Sequence, residues 1–116
     1  MAFTHVFAGV AVTDFAAAHD WYVRLFGRAA DMLPHDSEAV WRLSAWVSVY
    51  VVADPERAGN GLLTLAVADL DACADRLRAD GFELTEHAEG TAPRRLTVND
   101  DDGNTISFFQ DLAGRG

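Results

Sequence analysis

The sequence predicts an α+β protein made of two tandem modules, each a strand, a helix and three further strands. Three observations predict it. A strand-like run leading into a helix-capping aspartate occurs twice, at Asp14 and at Asp69. A glycine closes each helical stretch, Gly27 in the first and Gly81 in the second. At an offset of 55 positions Ala11 meets Ala66, Val12 meets Val67, Phe15 meets Leu70, Ala17 meets Ala72 and Asp20 meets Asp75. The same order of elements on both sides makes an internal duplication the economical reading.

Taken in order, residues 3–12 are rich in β-branched and aromatic side chains and form the first strand. Thr13 and Asp14 are N-cap types, and Phe15, Ala18, Tyr22, Leu25 and Phe26 then recur at helical spacing up to Gly27. Apolar stretches at 29–33, 39–43 and 46–52 are short and bounded by turn residues at 34–37 and 44–45, as hairpin strands are. Residues 54–61 hold a proline, two glycines and no apolar run, and read as a linker. The pattern then restarts: a strand at 62–67, a cap at Asp69, and a helix over 70–80 with Leu70, Cys73, Ala74 and Leu77 on one face. Strands follow at 82–86, 94–98 and 105–109, with residues 100–104 as a tight turn before the last. The expected layout is therefore one domain over 1–116, with a first module at about 1–53, a linker at 54–61 and a second module at about 62–112.

Composition narrows the function. The 116 residues carry 9 Lys plus Arg against 18 Asp plus Glu, a formal net charge of −9. That argues against a nucleic-acid partner, which needs clustered cations, and Arg94-Arg95 is the single basic pair. No apolar run is long enough for a membrane span, and the first residues lack the layout of a signal peptide. Cys73 stands alone, so no internal disulfide or multi-cysteine metal site can form. The expectation is a cytoplasmic protein with no membrane partner, whose acidity favours cationic ligands in solution.

Three segments carry a family resemblance. Gly9-Val10-Ala11-Val12-Thr13-Asp14-Phe15, with Trp21-Tyr22-Val23-Arg24-Leu25-Phe26-Gly27, is the first. Leu65-Ala66-Val67-Ala68-Asp69-Leu70-Asp71, with Leu77-Arg78-Ala79-Asp80-Gly81-Phe82, is the second. The third is Asp101-Asp102-Gly103-Asn104-Thr105-Ile106-Ser107-Phe108. In this order they resemble the vicinal oxygen chelate superfamily, which groups glyoxalases, bleomycin-resistance proteins and extradiol dioxygenases. The resemblance implies a glyoxalase-like fold, two βαβββ modules whose mixed sheets curl around a concave cavity with the helices outside. It also implies a divalent metal in enzymes of the family, held by His and Glu from both modules and acting as a Lewis acid.

The positions that the resemblance assigns to metal ligands are Phe7, Leu62 and Ser107 in this chain. Phe and Leu offer no lone pair, and a neutral Ser is a poor ligand for a hard cation. His5 shares the parity of Phe7 and is the one candidate for a displaced ligand; its offset counterpart is Asn60. His19, His35 and His87 pair with nothing at ligand spacing, and Asp100-Asp101-Asp102 lacks the alternating oxygens of a calcium loop. No Ser or Cys can be given a base and an orienting acid from sequence, and Gly59-Asn60-Gly61 runs into a strand rather than a phosphate-binding helix. Neither a metal, a cofactor nor a catalytic group is expected.

Strand alternation supplies the candidate ligand-binding face. Trp46, Ser48, Tyr50 and Val52 share one side of their strand, and the offset aligns Val52 with Ser107. Phe7, Leu62 and, by parity, Phe109 join that side, and Trp41 is placed with them across the 44–45 turn. The result is a pocket of aromatic and apolar side chains with a few hydroxyls, suited to a flat small organic molecule. The resemblance then implies the metal-free, drug-sequestering branch of the superfamily, working as a homodimer. The competing readings are a lyase or dioxygenase-like enzyme, using a metal at His5 or acid–base chemistry, and an interaction module with a filled core.

Overall fold

The computed structural model describes residues 2–111; the expected end of the second module, residue 112, lies outside the described residues. The elements are β1 (Val6–Val12), α1 (Phe15–Phe26), β2 (Met32–His35), β3 (Glu38–Ser44), β4 (Val47–Ala53), β5 (Leu62–Val67), α2 (Leu70–Ala79), β6 (Thr85–His87), β7 (Arg95–Asn99) and β8 (Thr105–Gln110). They form two four-stranded mixed sheets, ordered β1-β4-β3-β2 and β5-β8-β7-β6. In each, the first strand lies parallel to the last and the remaining pairs are antiparallel. The α+β class and the βαβββ pattern are thus present twice. The described residues gather into two compact units, one running to Gly61 and including Asp100–Asn104, the other comprising Leu62–Asn99 and residues 105–111.

In the first unit Asp14 caps α1, its Oδ1 accepting from the Ala17 N–H at 3.1 Å. The helix stops at Gly27, whose φ of 74° lies in the left-handed region that a side chain disfavours. α1 packs against β4. Alternate strand residues Val10, Val12, Ala39, Trp41, Val49 and Val51 are buried, together with Tyr22 and Leu25 of the helix. Each such side chain contributes on the order of 1.5–3 kcal/mol on burial, so this layer fixes which side of the sheet stays open. The same unit contains a polar cluster. The buried Tyr22 hydroxyl donates to Asp100 Oδ2 at 2.7 Å, and Asp100 Oδ1 accepts from the N–H groups of Asp102 and Asn104. Asn104 Nδ2 donates to Ala11 O and to Asp100 Oδ2, while its Oδ1 accepts from Gly61 N.

In the second unit Asp69 caps α2 through Ala72 N at 3.0 Å. Leu70, Ala74 and Leu77 are buried with Leu63, Leu96, Val98, Ile106 and Phe108. Cys73 is half-buried on the edge of that face, and burial pushes its thiol pKa up. Among the described residues no helix is long and apolar enough to cross a membrane.

Three strands start three residues later than expected. β1 starts at Val6 rather than residue 3. β2 covers Met32–His35 rather than 29–33 and contains Pro34, which an edge strand tolerates because its outer N–H groups need no partner. β6 is confined to Thr85–His87 because Phe82 belongs to the helix stop: its N–H bonds to Leu77 O and that of Gly81 to Arg78 O, a Schellman motif around Gly81.

Candidate functional site

The open face of the first sheet follows from register. Phe7 pairs with Ser48, which pairs in turn with Arg42; Gly9 pairs with Tyr50, which pairs with Val40. Met32 on β2 pairs with Val40 from the other side. These residues point away from α1, because their neighbours in sequence are the ones buried beneath it. Phe7, Met32, Val40, Arg42 and Ser48 of this face line a cavity of about 500 Å³. Its apolar wall is Phe7, Met32 and Val40; its polar groups are His5, Asp31, Arg42 and Ser48. The volume is that of a small-molecule site.

Each polar group is held by local structure. His5 Nε2 lies 2.9 Å from the buried Ser48 Oγ, and the His5 and Phe7 rings are 4.5 Å apart between centroids. Asp31 Oδ2 accepts from Arg42 N at 2.6 Å and from Arg28 Nη1 at 2.8 Å. Those two bonds, the backbone one foremost, hold the Asp31 carboxyl below the usual carboxylate range. Arg28 also donates to Arg42 O. Among the described residues the Arg42 guanidinium bonds only to main-chain carbonyls, Ser44 O at 3.4 Å and Ala45 O at 3.3 Å.

The expected site residues are distributed unevenly. Phe7 lines the cavity and is well exposed. Tyr50 shares the face, and its ring lies across Gly9, where a Cβ would come within 2.5 Å of Tyr50 Cζ. Trp46 sits in the β3–β4 turn, 69% exposed, outside the cavity lining. Trp41 corrects the expectation. It is fully buried on the helix side, its ring 5.1 Å from that of Phe26 and its indole N–H donating to Arg28 O at 3.0 Å. The reason is a register shift between Arg42 and Ser44 that puts Trp41 opposite Val49 rather than on the side of Ser48.

Leu62, Ser107 and Phe109 lie in the second unit, on one side of its own sheet, through the pairs Leu62–Thr105, Thr64–Ser107 and Ala66–Phe109. Here the repeat offset proves not to be constant. Phe7 pairs with Ser48, and Leu62, 55 positions on, pairs with Thr105, which is 57 positions beyond Ser48. The counterpart of Ser107 is therefore Tyr50 and not Val52. Sequence reading also missed Asp31, Met32, Val40 and Arg42 as lining residues. The one signal available was the Arg28–Asp31 spacing, an i,i+3 acid–base pair at the helix exit.

The metal implied by the resemblance does not fit these residues. Among the described residues no group of three or more His, Cys, Asp or Glu is arranged to hold an ion. The single carboxylate beside His5 in the cavity lining is Asp31, already bonded to a guanidinium and an N–H.

Comparison with known proteins gives this arrangement its relatives. No curated protein matches the chain significantly. A solved glyoxalase/bleomycin resistance protein from Catenulispora acidiphila is 40% identical, with a TM-score of 0.86, covering 91% of this chain and 96% of that one. TnmS3, an antibiotic binding protein from Streptomyces sp. CB03234, is 28% identical with a TM-score of 0.75 over 95% of this chain and 98% of its own. A lactoylglutathione lyase from Agrobacterium tumefaciens shares the fold alone, at 16% identity and a TM-score of 0.77 over 96% of each chain. The family model for the Glyoxalase/Bleomycin resistance protein/Dioxygenase superfamily matches residues 2–108. The chain belongs to that superfamily.

Proposed function

We propose that this protein is a metal-free, cytoplasmic binder of a planar aromatic molecule, held in the cavity of the first unit. The observation that carries the reading is the cavity itself. It is about 500 Å³, walled by Phe7, Met32 and Val40 and floored by a hydrogen-bonded His5–Ser48 pair. Its size and mixture of apolar wall with a few fixed polar groups suit a drug-sized ligand. The antibiotic-binding relative at 28% identity supports an antibiotic or a related metabolite as that ligand. Tyr50 and Trp46 extend the aromatic face, and Leu62, Ser107 and Phe109 offer a second face on the other unit. Stacking on one ring is worth about 0.5–1.5 kcal/mol beyond area burial, and it adds to the burial of the ligand against the apolar wall. One domain over 1–116 acting as a homodimer completes the proposal. The edge strand β2 and the exposed side chains of Phe3, Val6 and Leu33 support a second copy.

The test is calorimetric titration of a panel of planar aromatic antibiotics and metabolites against wild type and Phe7→Ala. At least one saturable ligand is expected, weakened about tenfold or more by the loss of the ring. No saturable ligand, or binding indifferent to Phe7→Ala, refutes the site. A stoichiometric transition metal in protein purified without added metal refutes the metal-free reading, and a monomer in light scattering refutes the dimer. The His5–Ser48 pair favours one further reading, metal-free acid–base chemistry on a bound substrate. Turnover abolished by His5→Gln with binding retained would establish it.

A further inference from the structure

We infer that the cavity selects a planar ligand bearing an anionic oxygen, with Arg42 as its anchor; this rests on reading the cavity as an aromatic-ligand site. The charges of the wall decide it. Asp31 is already engaged, its Oδ2 taking Arg28 Nη1 at 2.8 Å and the Arg42 N–H at 2.6 Å. Arg42 is engaged differently. Its guanidinium makes no ion pair among the described residues, and its two bonds, at 3.4 and 3.3 Å, are long and end on neutral carbonyls. The wall thus holds one carboxylate and one guanidinium, and since the carboxylate is already paired with Arg28 from outside the lining, Arg42 is the charge left over. The hydroxyl of Ser48 is taken by His5, and the rest of the lining is apolar.

A guanidinium offers its N–H groups as a planar fork that matches the two oxygens of a carboxylate, and Arg42 still has donors to spare. A ligand ring resting on Phe7 and carrying such a group would satisfy the cation and the apolar wall together. The net charge of −9 works in the opposite sense but from a distance. At physiological salt exposed charges are screened beyond about 8 Å, whereas a direct contact in an apolar-walled cavity is screened far less. Contact chemistry therefore outweighs the overall field, and selectivity runs against the cationic preference that composition alone suggests.

The experiment uses three anthraquinones identical in their rings: the 2-carboxylate, the 2-carboxamide and the 2-aminomethyl compound. Each is titrated by calorimetry into wild type, Arg42→Gln and Arg42→Lys at physiological salt. The Arg42 side chain is exposed and its main-chain bond to Asp31 survives both substitutions, so both variants are expected to fold, with thermal melts as the control. Wild type should bind the carboxylate about tenfold more tightly than the carboxamide, as a charge-assisted hydrogen bond would give, and the aminomethyl compound least. Arg42→Gln should erase the carboxylate advantage and Arg42→Lys retain part of it. A carboxamide or amine bound as tightly as the carboxylate overturns this inference while leaving the aromatic site standing. So does a carboxylate preference that survives Arg42→Gln. Failure of all three to bind overturns both.

Discussion

Replacing Tyr22 by Phe removes one oxygen from the interior and with it the hydrogen bond to Asp100 Oδ2. The ring stays where it is, against Trp21 at 4.7 Å, Phe26 at 6.1 Å and Trp41 at 6.5 Å between centroids, so no cavity of consequence opens. The loss is therefore that of one bond to a charged, buried acceptor, about 1.5–3 kcal/mol. Asp100 keeps three donors, Asp102 N, Asn104 N and Asn104 Nδ2, which places the expected cost near the middle, about 2 kcal/mol. For a chain of this size one kcal/mol moves the melting temperature by about 4 °C, so a drop of about 8 °C is expected. The pH dependence gives a second reading of the same contact. Burial, followed by the hydrogen bond and charge of Asp100, pushes the Tyr22 phenol well above its ordinary value of 10.0. Above pH 10 the unfolded chain releases a proton that the folded chain retains. The stabilisation is thus complete below that pH and declines as pH rises, by about 1.4 kcal/mol per pH unit. Urea unfolding of wild type and Tyr22→Phe between pH 8 and 11 measures both effects, and the stability difference between the two proteins should shrink above pH 10. A melting shift under about 2 °C, or a difference constant across that range, would refute the buried-bond reasoning.

Asn104→Ala should cost more than Tyr22→Phe, about 3 kcal/mol or above, because Gly61 N and Ala11 O lose their partner and Asp100 loses a donor at once; denaturant midpoints rank the two. Gly9→Ala should displace the Tyr50 ring and destabilise by about 1–3 kcal/mol, and Tyr50→Ala in the same chain should recover most of that. Near-UV circular dichroism and thermal melts report both. Burial raises the Cys73 thiol pKa above its ordinary 9.0, so the native protein should react with a disulfide reagent at pH 8 more slowly than the urea-unfolded chain, with the rate climbing as pH passes 9. Equal rates would show that the thiol is not shielded.

The helices were legible because their signals are local: Asp14 and Asp69 cap the N–H groups three residues on, and Gly27 and Gly81 accept backbone angles that other residues resist. The side of β4 that stays open was legible through alternation. Its alignment with β8 was off by two residues, an even number, so Ser107 keeps the strand side it shares with Thr105 and Phe109. Trp41 was not legible, because one irregular residue between Arg42 and Ser44 shifts the register, and nothing in the composition of that hairpin announces it. Asp31 and Arg42 were missed for a related reason. β2 is an irregular edge strand, and the wall it builds depends on how the chain leaves α1, which periodicity does not encode.

The first unit is discontinuous along the chain, and that has a consequence for how it is made. Synthesis delivers residues in order, yet the partners of Ala11 and Tyr22 lie 93 and 78 positions further on. A nascent chain that has reached Gly61 carries every strand of the cavity sheet but has an unanswered phenol, carbonyl and amide in its interior. Closing so long a loop is entropically expensive and cannot begin until Asp100 has been added, nor finish before Asn104. Completion of the unit is thereby deferred until that turn has been made, and a product truncated before Asn104 would lack the polar network that completes it.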